Sequence, residues 1–324
     1  YTTIDKPTDH FNTLLWTGDI VDGDGTGHDQ SVSGVGFQPD WVWHKCRSHA
    51  NQHIWADSIR GQGGSPTQML GLSSQDNGTE TNSNSNGWIE SLDSDGYTVT
   101  AGNDSSSKSN NAGASGRTYV GWCWKCATSF SNDASATSVG SIDSSGSINT
   151  TAGQSIISWT GTGSAGTIAH GLSAVPRMII VKNRDDTDNW YVYHVANGNT
   201  HSILLDSNGA KVGAYTDNWN NTTPTSSVFS VGGSAATSGA SNEKMISYCF
   251  ADVKGYSRIS SFVGNADTDG PWVFCGFRPS WVIIKNTAAR EHWRIYDHKR
   301  NTFNHMFRLL NPNENSGEST VDNE

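Results

Sequence analysis

An all-β chain of tandem antiparallel β-sandwich modules, two complete and a third incomplete, is predicted by three features of the sequence. A strand-like segment occurs three times along the chain. Hydrophobic residues make up only 34% while Gly reaches 35 residues, and the loops are dense in Ser, Thr and Asn, the composition of many short strands joined by polar turns. No stretch combines helical periodicity with caps, so little helix is expected.

The repeated segment runs from Gly36 through Pro39 to Lys45, from Gly171 through Pro176 to Lys182, and from Gly276 through Pro279 to Lys285. The interval from Pro to Lys is the same in each copy, and so is the interval from that Lys to Asp57, His194 and Asp297. His53 and Trp55, Trp190 and Tyr193, and Trp293 and Tyr296 precede those last positions, so an aromatic strand follows the Lys strand as a hairpin. The Lys strand is apolar on both faces. Trp41 and Trp43, Met178 and Ile180, or Trp281 and Ile283 share a face with the Lys, and Val42, Ile179 with Val181, or Val282 with Ile284 line the other. Such a strand is expected to lie centrally and to be covered on both sides. His44 on the second face makes the first module less fully covered there.

Taken in order, residues 1–10 read as a lead-in arm and 11–128 as the first module, with strands at Leu14–Thr17, Tyr97–Val99 and Tyr119–Trp124. Its two polar tracts, Ser73–Asn86 and Asn103–Ser115, read as exposed inter-strand loops. Residues 129–153 are Ser/Gly/Thr-rich and read as a linker with a short edge strand near Ile148. The second module spans 154–254 and repeats the flanking strands at Ile157–Thr160, Val228–Val231 and Met245–Phe250. The third spans 255–324, follows without a linker and so packs against the second. It has an upstream strand around Phe262 and a strand at Phe307–Leu310, but no counterpart of Tyr97–Val99 or Tyr119–Trp124. A chain that continues past Glu324, or a neighbouring subunit that donates the two strands, is therefore expected. The first residue is not Met, which fits a processed chain or a fragment.

The formal net charge is −10 and the longest basic run is His298-Lys299-Arg300, so no basic face for nucleic acid is expected. No apolar run approaches the roughly 18 residues of a membrane span, and the N-terminal stretch has no signal pattern; no membrane insertion is expected. Of five cysteines, Cys123 and Cys249 fall at the same repeat position and read as small buried side chains. The single Cys123-x-x-Cys126 lacks the partners a metal or redox site needs. Asp22–Gly27 and Asp93–Gly96 resemble parts of calcium loops without the closing Glu; they read as turns, calcium is the one ion they suggest, and no cofactor is expected. The repeated acid is read as a partner for a neighbouring Lys, since His194 replaces it in the second copy. No carboxylate pair, nucleophile elbow or phosphate loop stands out, so no enzyme is predicted. The chain carries 13 Trp. Those at repeated strand positions read as core, whereas Trp88 and Trp219, in polar surroundings, are the candidates for stacking on a sugar ring. Lys45, Lys182, Lys285 and their prolines are assigned to structure.

The pattern Gly-Phe-x-Pro-x-Trp-Val-x-x-Lys followed by Trp-x-x-Tyr-Asp resembles a repeated module of bacteriophage tail-fibre and virion appendage proteins, marine ones especially. The run Ser158–Gly163, His170-Gly171-Leu172 and Tyr248-Cys249-Phe250-Ala251 carry the same resemblance. It implies a lectin-like or jelly-roll β-sandwich, a place on the virion, a homo-oligomer among other virion proteins, and adhesion to a host surface glycan. Two other function classes compete with it. A secreted carbohydrate-binding protein fits the Trp and loops, and a glycan depolymerase would need a carboxylate pair.

Overall fold

Each repeat opens at a glycine in the left-handed region, with φ of 88° at Gly36, 69° at Gly171 and 81° at Gly276. A side chain there would be strained, which accounts for Gly heading all three copies. The computed structural model describes residues 2–21, 29–63, 68–82, 85–102, 111–213, 216–267, 269–303 and 306–320. About 40% of the chain is strand and 5% helix, all sheets are antiparallel in their main pairings, and none closes into a barrel.

In the first module the Lys strand, Trp41–Cys46, lies between Thr118–Trp124 and His53–Asp57, with Phe11–Thr17 beyond the former and Gly71–Leu72 beyond the latter. The second module repeats that order. Met178–Asn183 lies between Lys244–Phe250 and Tyr191–His194, flanked by Gln154–Thr160 and His201–Leu204. Register is repeated too, since Trp41 faces Asp57, Met178 faces His194, and Trp281 faces Asp297. The two apolar faces of the Lys strand explain its central place, because a strand with no wet face is stable only when covered twice.

The outer face is covered by a second sheet. In the first module this is Asp29–Ser33, Gly96–Thr100 and Trp88–Asp93; in the second it is Gly166–Ala169 with Val228–Val231. Val42 and Ile54 meet Tyr97 and Val99 in one inter-sheet core, and Ile179 and Val181 meet Phe229 and Trp219 in the other. His44 is also fully buried, its Nδ1 3.2 Å from the Tyr97 hydroxyl and its Nε2 donating to Asn111 O at 2.9 Å. The first module is thus closed at His44, contrary to the expectation of partial cover, because two partners satisfy the ring.

The inner faces of all three modules meet in one cluster. Trp41, Trp43, Trp55, Trp122 and Trp124 pack there with Ile180, Trp190 and Tyr248 of the second module and Trp293, Ile295 and Leu310 of the third. Trp55 lies 4.7 Å from Trp190 and 4.9 Å from Tyr248, centroid to centroid, across the module boundary. Such pairs add about 0.5–1.5 kcal/mol each beyond their buried area.

The modules close a pseudo-threefold ring. At one repeat position a ring N–H reaches a carbonyl of a neighbouring module three times: Trp190 to Ser73 O at 2.9 Å, Trp293 to Leu204 O at 2.8 Å, and His53 Nε2 to Asn311 O at 3.0 Å. Trp43 Nε1 donates to His53 Nδ1 at 2.9 Å, which leaves the His53 proton on Nε2 for that bond. A backbone bond repeats likewise, from Glu80 N to Arg184 O, Glu318 N to Arg47 O and Lys211 N to Thr287 O. Each module therefore holds both others.

Four segments differ from expectation. In residues 129–153 the expected strand near Ile148 forms as Ser144–Asn149, inside the sheet rather than at its edge, but the rest is not a linker: Thr128–Asn132 pairs beyond it, the second module's sheet reaches eight strands, and the short helix Ala134–Thr137 lies between the two. Their Ser and Gly side chains suit an edge whose cover is partial. The tract after Leu72 is exposed only in part: Asn77, Thr79 and Ser85 are exposed, but Ser74 is buried and donates to Pro312 O at 2.8 Å. Asn111, Ala112 and Ala114 of the second polar tract are buried as well; residues 103–110 lie outside the described residues. In the third module the hairpin Trp281–Ile284 with Arg294–Asp297 forms, and Ile295 bridges to Leu310, but no strand forms around Phe262. A strand without its pairing partner has no ladder to hold it extended.

Candidate interaction surface

The two proposed sugar-stacking residues are core. Trp88 is 2% exposed and donates to Met69 O at 2.9 Å; Trp219 is 2% exposed and donates to Ser202 Oγ at 2.9 Å. Their polar sequence neighbours point outward while the indoles fill the inter-sheet cores, so neither can meet a ligand.

Pro39 and Pro176 are buried, and Pro279 is half-buried. Lys45 and Lys182 are fully buried, as structural residues must be if they end a central strand. Their partners are carbonyls: Lys45 Nζ donates to Asn51 O and Asn315 O at 2.6 and 3.0 Å, and Lys182 Nζ to Asn183 O and Asp186 O at 2.6 and 3.0 Å. Burial lowers both ammonium groups to a pKa of about 8. Lys285 is half-buried and bonds Asn286 O at 2.6 Å and Asn208 O at 3.4 Å.

The repeated acid does not pair with Lys. Asp57 Oδ2 accepts from Arg60 Nε at 2.5 Å and from the Tyr248 hydroxyl at 2.7 Å, while its Oδ1 caps the turn at Ile59 N and Arg60 N. Asp297 Oδ2 accepts in the same way from Arg300 Nε at 2.5 Å and from Trp122 Nε1 at 3.1 Å. Both acids and both guanidinium groups have fully buried side chains. An Arg–Glu pair flanks each: Arg184 grips Glu80 by two 2.8 Å bonds, and Arg47 grips Glu318 by two 3.0 Å bonds. Burial alone would raise the Glu318 carboxyl, but the arginines around it, Arg47 foremost, hold it below its usual range. The first set joins module one to module two and the second joins module three to module one. At the third junction His194, Asn197, Lys211 and Thr287 stand in place of Asp, Arg, Glu and Arg. The sequence reading missed these arginines, although the equal spacing from Asp57 to Arg60 and from Asp297 to Arg300 signalled them.

Cys123, Cys126 and Cys249 are buried free thiols, and burial pushes Cys249 up to about 12; a thiol so held is unreactive. Asp95 accepts from Gly34 N and Gly36 N, and Asp93 from Ser91 and Thr98 hydroxyls, which makes Asp93–Gly96 a turn, as expected. Asp22–Gly27 lie outside the described residues. Among the described residues no His, Cys, Asp and Glu cluster able to hold a metal occurs. An open polar cleft of about 310 Å³ is lined by residues 131–133, 143–145 and 158–160. Its two carboxylates are engaged, Asp133 capping Ser135 N and Ala136 N and Asp143 accepting from Ala134 N.

Exposed apolar surface is concentrated in the third module. Phe262, Val263, Trp272, Phe274 and Phe303 are 49%, 88%, 90%, 76% and 82% exposed. Val282 and Ile284, whose equivalents are buried under a second sheet, are half-exposed, and nothing among the described residues pairs with the outer edge of Trp281–Ile284. Exposed apolar side chains and an unpaired strand edge are each features of surfaces that associate.

These features define a three-module all-β ring protein with one open module. The chain belongs to the family described as Domain of unknown function (DUF7483), whose model matches residues 6–324. No curated protein and no solved structure matches it.

Proposed function

We propose that this chain is a non-enzymatic structural protein of a virion, a tail-fibre or appendage component that assembles with other virion proteins as an oligomer and takes part in adhesion to the host surface. The observation that supports this reading best is how the repeated residues are used. The Asp57, Asp297, Arg60 and Trp122 side chains of the repeat, and Lys45, are spent on buried bonds between modules, while most of the exposed large apolar side chains lie on one module. That is the division expected of a building block. The resemblance of the repeat to phage appendage modules adds the location. The secreted carbohydrate-binding reading drew on the Trp residues and the loops, and its two Trp candidates, Trp88 and Trp219, are both buried.

The test is mass spectrometry and immunogold labelling of density-purified particles from a phage lysate that expresses this sequence. The reading requires the chain to co-purify with particles at a fixed stoichiometry and to be labelled on an appendage. Recovery in the particle-free supernatant alone overturns it.

A further inference from the structure

We propose that the ring opens at the junction between modules two and three: module three, pinned to module one, parts there from module two without unfolding. Every residue that decides this lies within the three modules themselves.

The three junctions share one frame, so their strengths can be compared position by position. Between modules one and two, Glu80 N donates to Arg184 O at 2.8 Å and Trp190 Nε1 to Ser73 O at 2.9 Å. Between three and one, Glu318 N donates to Arg47 O at 2.6 Å and His53 Nε2 to Asn311 O at 3.0 Å. Between two and three, Lys211 N donates to Thr287 O at 3.0 Å and Trp293 Nε1 to Leu204 O at 2.8 Å.

Charged contacts reinforce that frame at two junctions. The first carries the bond of Tyr248 to Asp57 and the two bonds of Arg184 to Glu80. The second carries the bond of Trp122 to Asp297 and the two bonds of Arg47 to Glu318, and Lys45 Nζ adds one to Asn315 O. Parting either breaks hydrogen bonds to charged groups held out of water, which are about twice as strong as neutral ones. At the third junction His194, Asn197, Lys211 and Thr287 hold the equivalent positions. The charged group that reaches across it among the described residues is Lys285, whose Nζ lies 3.4 Å from Asn208 O, a long bond.

Packing falls in the same order. Trp41 and Trp43 are 2% and 1% exposed on the inner face of module one, while their counterparts Trp281 and Ile283 are half-buried. The connection also leaves room for movement. Arg177 fastens its start to module two through Ile259 O at 3.0 Å and Asp252 at 3.2 Å, and the described residues from 258 to 280 form no helix or strand and are mostly exposed. Module three can thus leave module two on an unpaired tether while Arg47–Glu318 and Trp122–Asp297 keep it on module one. Opening bares Trp281, Ile283 and Trp293, the third module's share of the axial cluster.

Native-state hydrogen exchange of the full chain, followed by NMR at rising urea below the unfolding transition, tests this with equivalent probes in one molecule. The Lys211 amide and the Trp293 indole N–H should exchange about tenfold or more faster than the Glu80 amide and the Trp190 indole N–H, after correction for intrinsic rates. Both fast probes should share one urea dependence, since a junction that parts exposes surface and a fraying loop does not. In Lys211→Glu/Thr287→Arg the same two probes should slow by up to about fivefold, the size of one partly exposed ion pair, with the Glu80 and Trp190 probes unchanged. Glu80→Gln should do the reverse at the first junction, speeding its two probes and leaving the third junction's alone. The comparison within the unmodified chain decides even where a variant fails to fold. Equal exchange at the two junctions, fast exchange without urea dependence, or a Lys211→Glu/Thr287→Arg protein that folds and whose position 211 and Trp293 probes do not slow overturns the proposal.

Discussion

Asp57→Asn removes one negative charge from the buried junction between modules one and two while keeping the side chain's shape. The amide oxygen can still cap Ile59 N and Arg60 N, so the turn survives. What is lost is the carboxylate oxygen that receives Arg60 Nε at 2.5 Å and the Tyr248 hydroxyl at 2.7 Å; in its place an NH₂ group faces two donors. Arg60 stays fully buried, with Glu80 3.8 Å from Nη1 as its remaining counter-charge. Breaking a buried pair by removing one partner costs about 3–5 kcal/mol, because the surviving charge is left without compensation. Tyr248→Phe removes only one hydrogen bond to the carboxylate and should cost less, about 1.5–3 kcal/mol. Urea unfolding at pH 7, read by Trp fluorescence, measures both. Asp297→Asn, at the equivalent pair, should match Asp57→Asn to within about 1 kcal/mol. An Asp57→Asn protein within about 1 kcal/mol of the parent, or no weaker than Tyr248→Phe, would refute the claim that the buried pair holds the junction.

Three further outcomes are expected. Trp88→Ala and Trp219→Ala should each cost about 3–5 kcal/mol in denaturant unfolding, and unchanged stability with lost adhesion to host cells would return these residues to a binding role. Burial pushes the His44 pKa down from 6.5 to about 4. The unfolded chain therefore takes up this proton first, so the His44 contribution is full above about pH 6.5 and falls by roughly 3 kcal/mol as pH drops to 4. His44→Gln should flatten that part of the stability profile, and an unchanged profile would contradict the assignment. Thr287→Arg combined with Lys211→Glu should install at the third junction the flanking pair found at the other two. The gain expected is about 0.2–1 kcal/mol, since the site is more exposed, and a loss of stability would show that the ring departs from its symmetry there.

The sequence by itself determined the all-β class, the three repeats, the hairpin that joins each Lys strand to its aromatic strand, and the central place of that strand in modules one and two, though not in module three, where it lies at an edge. These are properties of chain order and of the alternation of side chains along a strand, and both are local. It also showed that residues 255–324 hold no counterpart of two of the strands, because a repeat can be counted against its own copies. Tertiary structure alone decided what covers each apolar face. An alternating pattern says that Trp41 and Trp43 must be buried, but whether by a second sheet or by two other modules depends on residues more than a hundred positions away. The same distance hid the partner of the repeated acid, since Tyr248 and Trp122 arrive from neighbouring modules. Trp88 and Trp219 were misread for a related reason: polar neighbours in sequence describe the surface around a side chain only when the chain does not turn it inward. The residues at 128–149 likewise became strands because an existing sheet edge offered hydrogen-bond partners, and a free edge in the folded module is not written in the segment that fills it.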